Sequence, residues 1–168
     1  MHVSTSDMIR QMKRDAFGDG PESLLTRNDP FINKLREERG PGFLIDAVYE
    51  DWLKVKDQFL GGCIASGVRA IGEEERIHEL GGKLIFVDAD PAIRYERAMK
   101  RARDANEIGR TFDEFMATEL REIDVDQSDK NISNLGAMKA MADIVIENNA
   151  SSLEEFIAQA KIALKEYL

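Results

Sequence analysis

Short apolar runs alternate with longer amphipathic ones along this chain, and the alternation predicts the fold class. CIASGV (63–68) follows the Gly61-Gly62 pair and reads as a buried strand. KLIFVDAD (83–90) follows Gly81-Gly82 and is the clearest strand, and ADIVIEN (142–148) is a third, rich in β-branched residues. Residues 1–3 read as the end of a fourth strand. It runs into a helix that Ser4, Thr5 or Ser6 caps with a hydroxyl, with Arg10 about one turn in on the side Asp7 faces. Between the strands lie helical patterns at 73–80 and 91–103, the latter opened by Pro91 in its first turn. A last helix follows a Ser151 or Ser152 cap, with Leu153, Phe156, Ile157, Ala160, Ile162 and Leu164 on its apolar side. Residues 28–56 read as helical with a break at Gly-Pro-Gly, 40–42. Strands alternating with helices predict a single α/β domain with a mostly parallel sheet covered on both faces.

Composition narrows the functions. The chain has 168 residues, long enough for one domain with a core, and a formal net charge of −9. A surface that neutralises nucleic-acid phosphates needs a basic excess, so no nucleic-acid partner is expected, while a local basic pocket for a small anion stays open. Cys63 is the only cysteine, which leaves no intrachain disulfide and no cysteine-based metal site; we read it as packing inside a strand. The two histidines, His2 and His78, lack HExxH spacing, and no metal site is predicted. No apolar run reaches the roughly 18 residues of a spanning helix, and the N-terminus has no apolar signal-peptide core. The expectation is no membrane partner and a cytoplasmic location; oligomeric state is not legible.

In open α/β sheets, ligands sit beyond the carboxyl ends of the strands. Those ends carry Ser4-Thr5-Ser6-Asp7, Ser66-Gly67-Val68-Arg69, Asp88-Ala89-Asp90 and Asn148-Asn149. An arginine two residues after a glycine turn reaches over the sheet edge, where its fork suits phosphate or carboxylate; a salt bridge to the acids at 73–75 is the alternative. Arg94, Arg97 and Arg101 recur at helical spacing, which fits either a solvated face among nearby acids or positive charge for a phosphoryl group. Asp90 is read as a helix cap rather than, with Asp88, a magnesium ligand.

These residues converge on a resemblance. HVSTSDMIR resembles the strand-to-helix segment at the monophosphate site of adenylate kinase and other nucleoside monophosphate kinases. ASGVR resembles the strand-glycine-arginine element of P-loop nucleotide kinases, and KLIFVDADPAIRYERAMKRAR their fourth strand and lid helix. TFDEFMATELRE and ADIVIENNASSLEEF are similar to the end of the lid and the last strand and helix; ADIVIEN is also similar to the ending of dephospho-CoA kinases. The resemblance implies a three-layer fold, with a helical acceptor-side insert at about 28–56 and a lid at about 94–124. It implies that Ser4, Thr5 and Arg10 bind the substrate with Arg69 on its phosphate, and that Asp7 orients the attacking oxygen. It also implies that Arg97 and Arg101 stabilise the transferring group, Asn148 lies near the adenine of ATP, and Mg²⁺ accompanies that ATP. On this basis Arg10 and Arg69 are expected at one anion site.

The sequence departs from that family in two places. No segment matches the GxxxxGK[ST] loop that cradles the donor phosphates, and the chain opens where the family's second strand ends, about 25 residues late. Ser66 also stands where relatives carry an acid that helps hold the magnesium water shell. In the resembled fold the missing first strand is central, so the domain is expected to be N-terminally incomplete, with two unpaired inner edges. Such edges cost about 1–3 kcal/mol per unpaired buried group, against a total stability of roughly 5–15 kcal/mol. The expected parent activity is ATP-dependent phosphoryl transfer to a nucleoside monophosphate or similar small acceptor, with the chain inactive as it stands. The rivals are a dephospho-CoA kinase-like enzyme and a non-catalytic nucleotide-binding or regulatory protein.

Overall fold

Each apolar run condenses to a strand of three or four residues, and the strands pair two by two. The computed structural model describes residues 1–20, 30–59, 61–101, 109–123 and 129–167. β1 (His2–Ser4) pairs in parallel with β2 (Ile64–Ser66), setting His2 beside Ile64 and Ser4 beside Ser66. β3 (Ile85–Asp88) pairs in parallel with β4 (Ile144–Glu147), setting Ile85 beside Ile144 and Asp88 beside Glu147. Both ladders are parallel, as the alternation predicts. They form two separate two-stranded sheets rather than one. One cavity is bordered by residues along all of β2 and all of β3, while β1 lies outside its walls. The two sheets therefore present β2 and β3 to a common gap. Ile64 is 66% exposed and Val87 50%, values that strands of a continuous buried parallel sheet would not show.

Two apolar clusters flank this arrangement. α1 (Thr5–Phe17), α2 (Pro30–Arg39) and α3 (Phe43–Val55) bury Ile9, Ile32, Phe43 and Leu44 together. Ser4 caps α1, its hydroxyl accepting the Asp7 N–H at 3.2 Å. The Gly-Pro-Gly break falls between α2 and α3 as expected. The second cluster joins Ile71 of α4 (Ile71–Glu79) and Leu84 to Ala137 and Met138 of α7 (Leu135–Met141). α4 touches both halves: a Cβ on Gly72 would lie 2.2 Å from the Pro41 Cβ, so only glycine permits this close approach to the α3 entry.

α5 (Pro91–Arg101) and α6 (Phe112–Ile123) meet through Tyr95, whose ring packs on Phe112 and Phe115 and whose hydroxyl donates to the Arg110 carbonyl at 2.6 Å. The expected lid and insert fall partly outside the described residues, at 102–108 and 124 and at 28–29. α8 (Leu153–Ala163) is capped by Ser152 and lies against β4, yet Leu153 and Ile162 of its apolar side stay exposed. Cys63 sits one residue before β2, half-buried on the cavity wall rather than within the strand, and burial pushes its thiol pKa up.

Candidate functional site

The gap between β2 and β3 is a cavity of about 1810 Å³. Its lining combines apolar residues, Tyr49, Trp52, Ile77 and Leu80 among them, with the polar carboxyl ends of the two strands.

The β2 wall turns at Gly67, whose φ of +86° is a left-handed conformation that favours glycine. A Cβ there would stand 2.9 Å from Thr5 Oγ1 and 3.3 Å from Ser6 Oγ. Thr5 is fully buried, and its hydroxyl donates to the Ser66 carbonyl at 3.1 Å. His2 Nε2 and Ser66 Oγ lie 2.9 Å apart. The turn after β2 is thus seated on the start of α1, and it delivers Arg69 to the cavity wall.

The backbone around Arg69 is held from both directions. Its N–H donates to Glu73 Oε2 at 2.9 Å, the Ala70 N–H donates to the same oxygen at 3.2 Å, and the Arg69 carbonyl accepts from the Asn134 N–H at 2.8 Å. Glu73 stands at the third position of α4 and reaches back to its cap, half of a capping box. The acids at 73–75 therefore engage the Arg69 main chain through Glu73.

On the β3 wall, Asp88 Oδ1 accepts from Arg94 Nη1 at 2.5 Å and from the Ala89 N–H at 2.8 Å, and Oδ2 accepts from Lys139. Arg94 Nε also stands 3.0 Å from Glu119 Oε2 on α6. Burial pushes the Asp88 carboxyl up, but the Lys139 and Ala89 bonds and the two cations outweigh it, leaving its pKa below the ordinary value. Asp88, Arg94, Lys139 and Glu119 all border the cavity.

Of the expected acceptor residues, Arg69 lies on the cavity wall, while Ser4, Thr5, Asp7 and Arg10 lie outside its lining. Asp7 and Arg10 pair with each other at 2.5 Å on the exposed side of α1. Arg97 and Asn148 are brought together: the Arg97 guanidinium donates to the carbonyls of Asn148 and Ala150, both at 2.8 Å. Arg101 is exposed at the end of α5. The Asp90 carbonyl accepts the Arg94 N–H at 2.9 Å, as a helix-capping residue's does, and its own N–H donates to Asn149 Oδ1. Lys139, Glu119 and the Arg36–Glu73 pair do not stand out in the sequence, where Arg94 is one member of an arginine stripe. The six-residue step from Asp88 to Arg94 was the available signal, a strand-end acid followed by a basic residue in the next helix.

The residues present do not fit a resident magnesium ion. Among the described residues there is no group of three or more His, Cys, Asp or Glu side chains that could hold a metal, and both Asp88 oxygens are already engaged by cations. No helix among the described residues is long and apolar enough to cross a membrane.

No protein-family model matches the chain. It is similar to a UPF0200 protein of Sulfurisphaera tokodaii, 27% identical over 168 residues that cover 99% of this chain and 82% of that relative.

Proposed function

We propose that the chain forms the acceptor-binding part of a nucleotide kinase-like phosphotransferase with a P-loop kinase-like architecture. One observation carries the reading: the carboxyl ends of two neighbouring parallel strand pairs, bearing Arg69 on one side and Asp88, Arg94 and Lys139 on the other, open into one cavity. That is where open α/β sheets bind ligands. The cavity also runs the length of β2 and β3, which supports a further parallel strand between them as the element that carries the donor-phosphate loop. In this reading Arg69 grips the acceptor phosphate. Arg94 and Lys139, paired with Asp88 and Glu119, set a charge-balanced cluster on the opposite wall. Phosphoryl transfer rests on positioning and electrostatics, and no segment of this sequence supplies GxxxxGK[ST] for the donor. The chain alone is then inactive.

The test is phosphoryl transfer from magnesium-ATP to a panel of nucleoside monophosphates and dephospho-CoA. Two proteins are compared: this chain, and the chain extended at Met1 by a strand, a GxxxxGK[ST] loop and a helix. Holding donor and acceptor in line is worth about 7–11 kcal/mol of barrier, so the first should be silent and the second active, with activity lost in Arg69→Ala. Robust turnover by the chain alone would refute the assignment.

A further inference from the structure

The Arg36–Glu73 pair is the most deeply buried ion pair among the described residues, and the functional reading above leaves it unused. Glu73 is 1% exposed and Arg36 6%. Arg36 Nη2 donates to Glu73 Oε1 at 2.8 Å, and Nη1 donates to the Asn131 carbonyl at 2.9 Å and to Asn33 Oδ1 at 3.3 Å. Burying such a pair gives little net stability, because both ions lose their water. Its geometry has another result. The second carboxylate oxygen receives two consecutive amides, those of Arg69 and Ala70, in the loop that presents Arg69 to the cavity.

We propose that Glu73, neutralised by Arg36, is a positioning residue for the anion-binding arginine Arg69; the inference rests on the acceptor-site reading. The carboxylate fixes the loop through its two amides, and the Asn134 N–H fixes it through the Arg69 carbonyl, so the arginine leaves the sheet edge in one direction. A carboxylate this near would repel an anion held by Arg69. The Arg36 guanidinium on its far oxygen cancels that charge, and a neutral acceptor would hold the amides with weaker bonds, since charge-assisted hydrogen bonds are roughly twice as strong. Arg36 comes from α2 in the predicted acceptor-side insert. The insert thus reaches the site through this buried pair.

The experiment titrates the whole chain with inorganic phosphate and follows backbone amide resonances, with Arg69→Ala, Glu73→Gln, and the paired Arg36→Met/Glu73→Gln exchange, which removes both charges together and keeps a fold if Glu73→Gln alone does not. Phosphate should shift the Arg69 region in the parent chain, and Arg69→Ala should abolish the response. Glu73→Gln and the paired exchange should each weaken phosphate binding about tenfold while the Arg69 and Ala70 amides lose protection from hydrogen exchange. A purely structural role would lower stability, leave phosphate affinity within twofold in every folded variant that keeps Arg69, and still lose binding in Arg69→Ala; that result would overturn the positioning inference alone. Phosphate binding unchanged in Arg69→Ala, or absent from the parent chain, would remove the anion-site reading and the inference with it.

Discussion

The His78 imidazole stands between two carboxylates, with Nδ1 2.7 Å from Glu74 Oε1 and Nε2 2.8 Å from Asp143 Oδ2. The contact ties α4 to the entry of β4, and Asp143 also accepts from Lys83 and from the Leu84 N–H. The Asp143 bond raises the His78 pKa above the ordinary imidazole value against the opposing effects of burial and of Lys83, and the Glu74 charge adds to it. His78 and the Leu84 amide, with Lys83, hold the Asp143 carboxyl far below its usual range.

These shifts set a pH dependence. The His78 contribution is fully present below the unfolded imidazole pKa of about 6.5 and is lost as pH rises through the raised folded value. The Asp143 contribution is present above about 3.9 and is lost as pH falls through its depressed folded value. Glu74, pushed up by burial, disfavours the folded state as it ionises, a loss that begins above its unfolded pKa of about 4.3, on the acid side of the His78 window. The thermal midpoint should therefore fall above about pH 6.5. His78→Gln should flatten that decline, and an unchanged slope would remove His78 as its source.

Gly67→Ala should destabilise the chain by about 1–3 kcal/mol, through the left-handed φ and the 2.9 Å approach to Thr5 Oγ1. Urea unfolding reads the loss. Adding Thr5→Ser, which keeps the hydroxyl, should recover none of the φ cost, so recovery to the parental midpoint would contradict this account.

Arg97→Ala and Arg101→Ala should separate. Arg97 bonds two carbonyls after β4, one exposed and one half-buried, so its removal should cost about 0.5–1.5 kcal/mol. Arg101 is exposed at a helix end, and its alanine variant should stay within about 0.5 kcal/mol of the parent. Equal unfolding midpoints for the two variants would show that the Arg97 bonds add nothing.

Asp88→Asn should leave Arg94 and Lys139 facing each other without their shared carboxylate. The expected loss is about 1–3 kcal/mol at neutral pH, measured by urea unfolding and smaller in high salt, where the two cations are screened. An Asp88→Asn protein as stable as the parent at low salt would show that the carboxylate only offsets its own desolvation.

Much of the fold was legible because hydrophobic period and glycine punctuation act locally. The runs at 63–68, 83–90 and 142–148 each contain the observed strand, and Ser4 and Ser152 are both capping serines the pattern offered. α7 escaped notice because it is seven residues long, and its Asn134 cap belongs to a loop with no periodic signal. The site was half legible. Arg69 could be read from its glycine, whereas Lys139 reaches Asp88 across 51 residues and Glu73 meets Arg36 across 37, separations at which one sequence carries no pairing information.

α4 joins regions that the two apolar clusters keep apart. Along its nine residues Glu73 takes Arg36 of α2, Arg76 takes Asp46 of α3 at 2.6 Å, and His78 takes Asp143 at β4. Glu75 adds Lys130 from the loop before α7. The segment EEERIHE, which by composition belongs on a solvated surface, thus works as the mortise between the halves. Each half has its own apolar cluster, and much of what joins them is carried by these charges. Salt that screens the exposed members of this set should therefore loosen the join between the halves while leaving each apolar cluster intact.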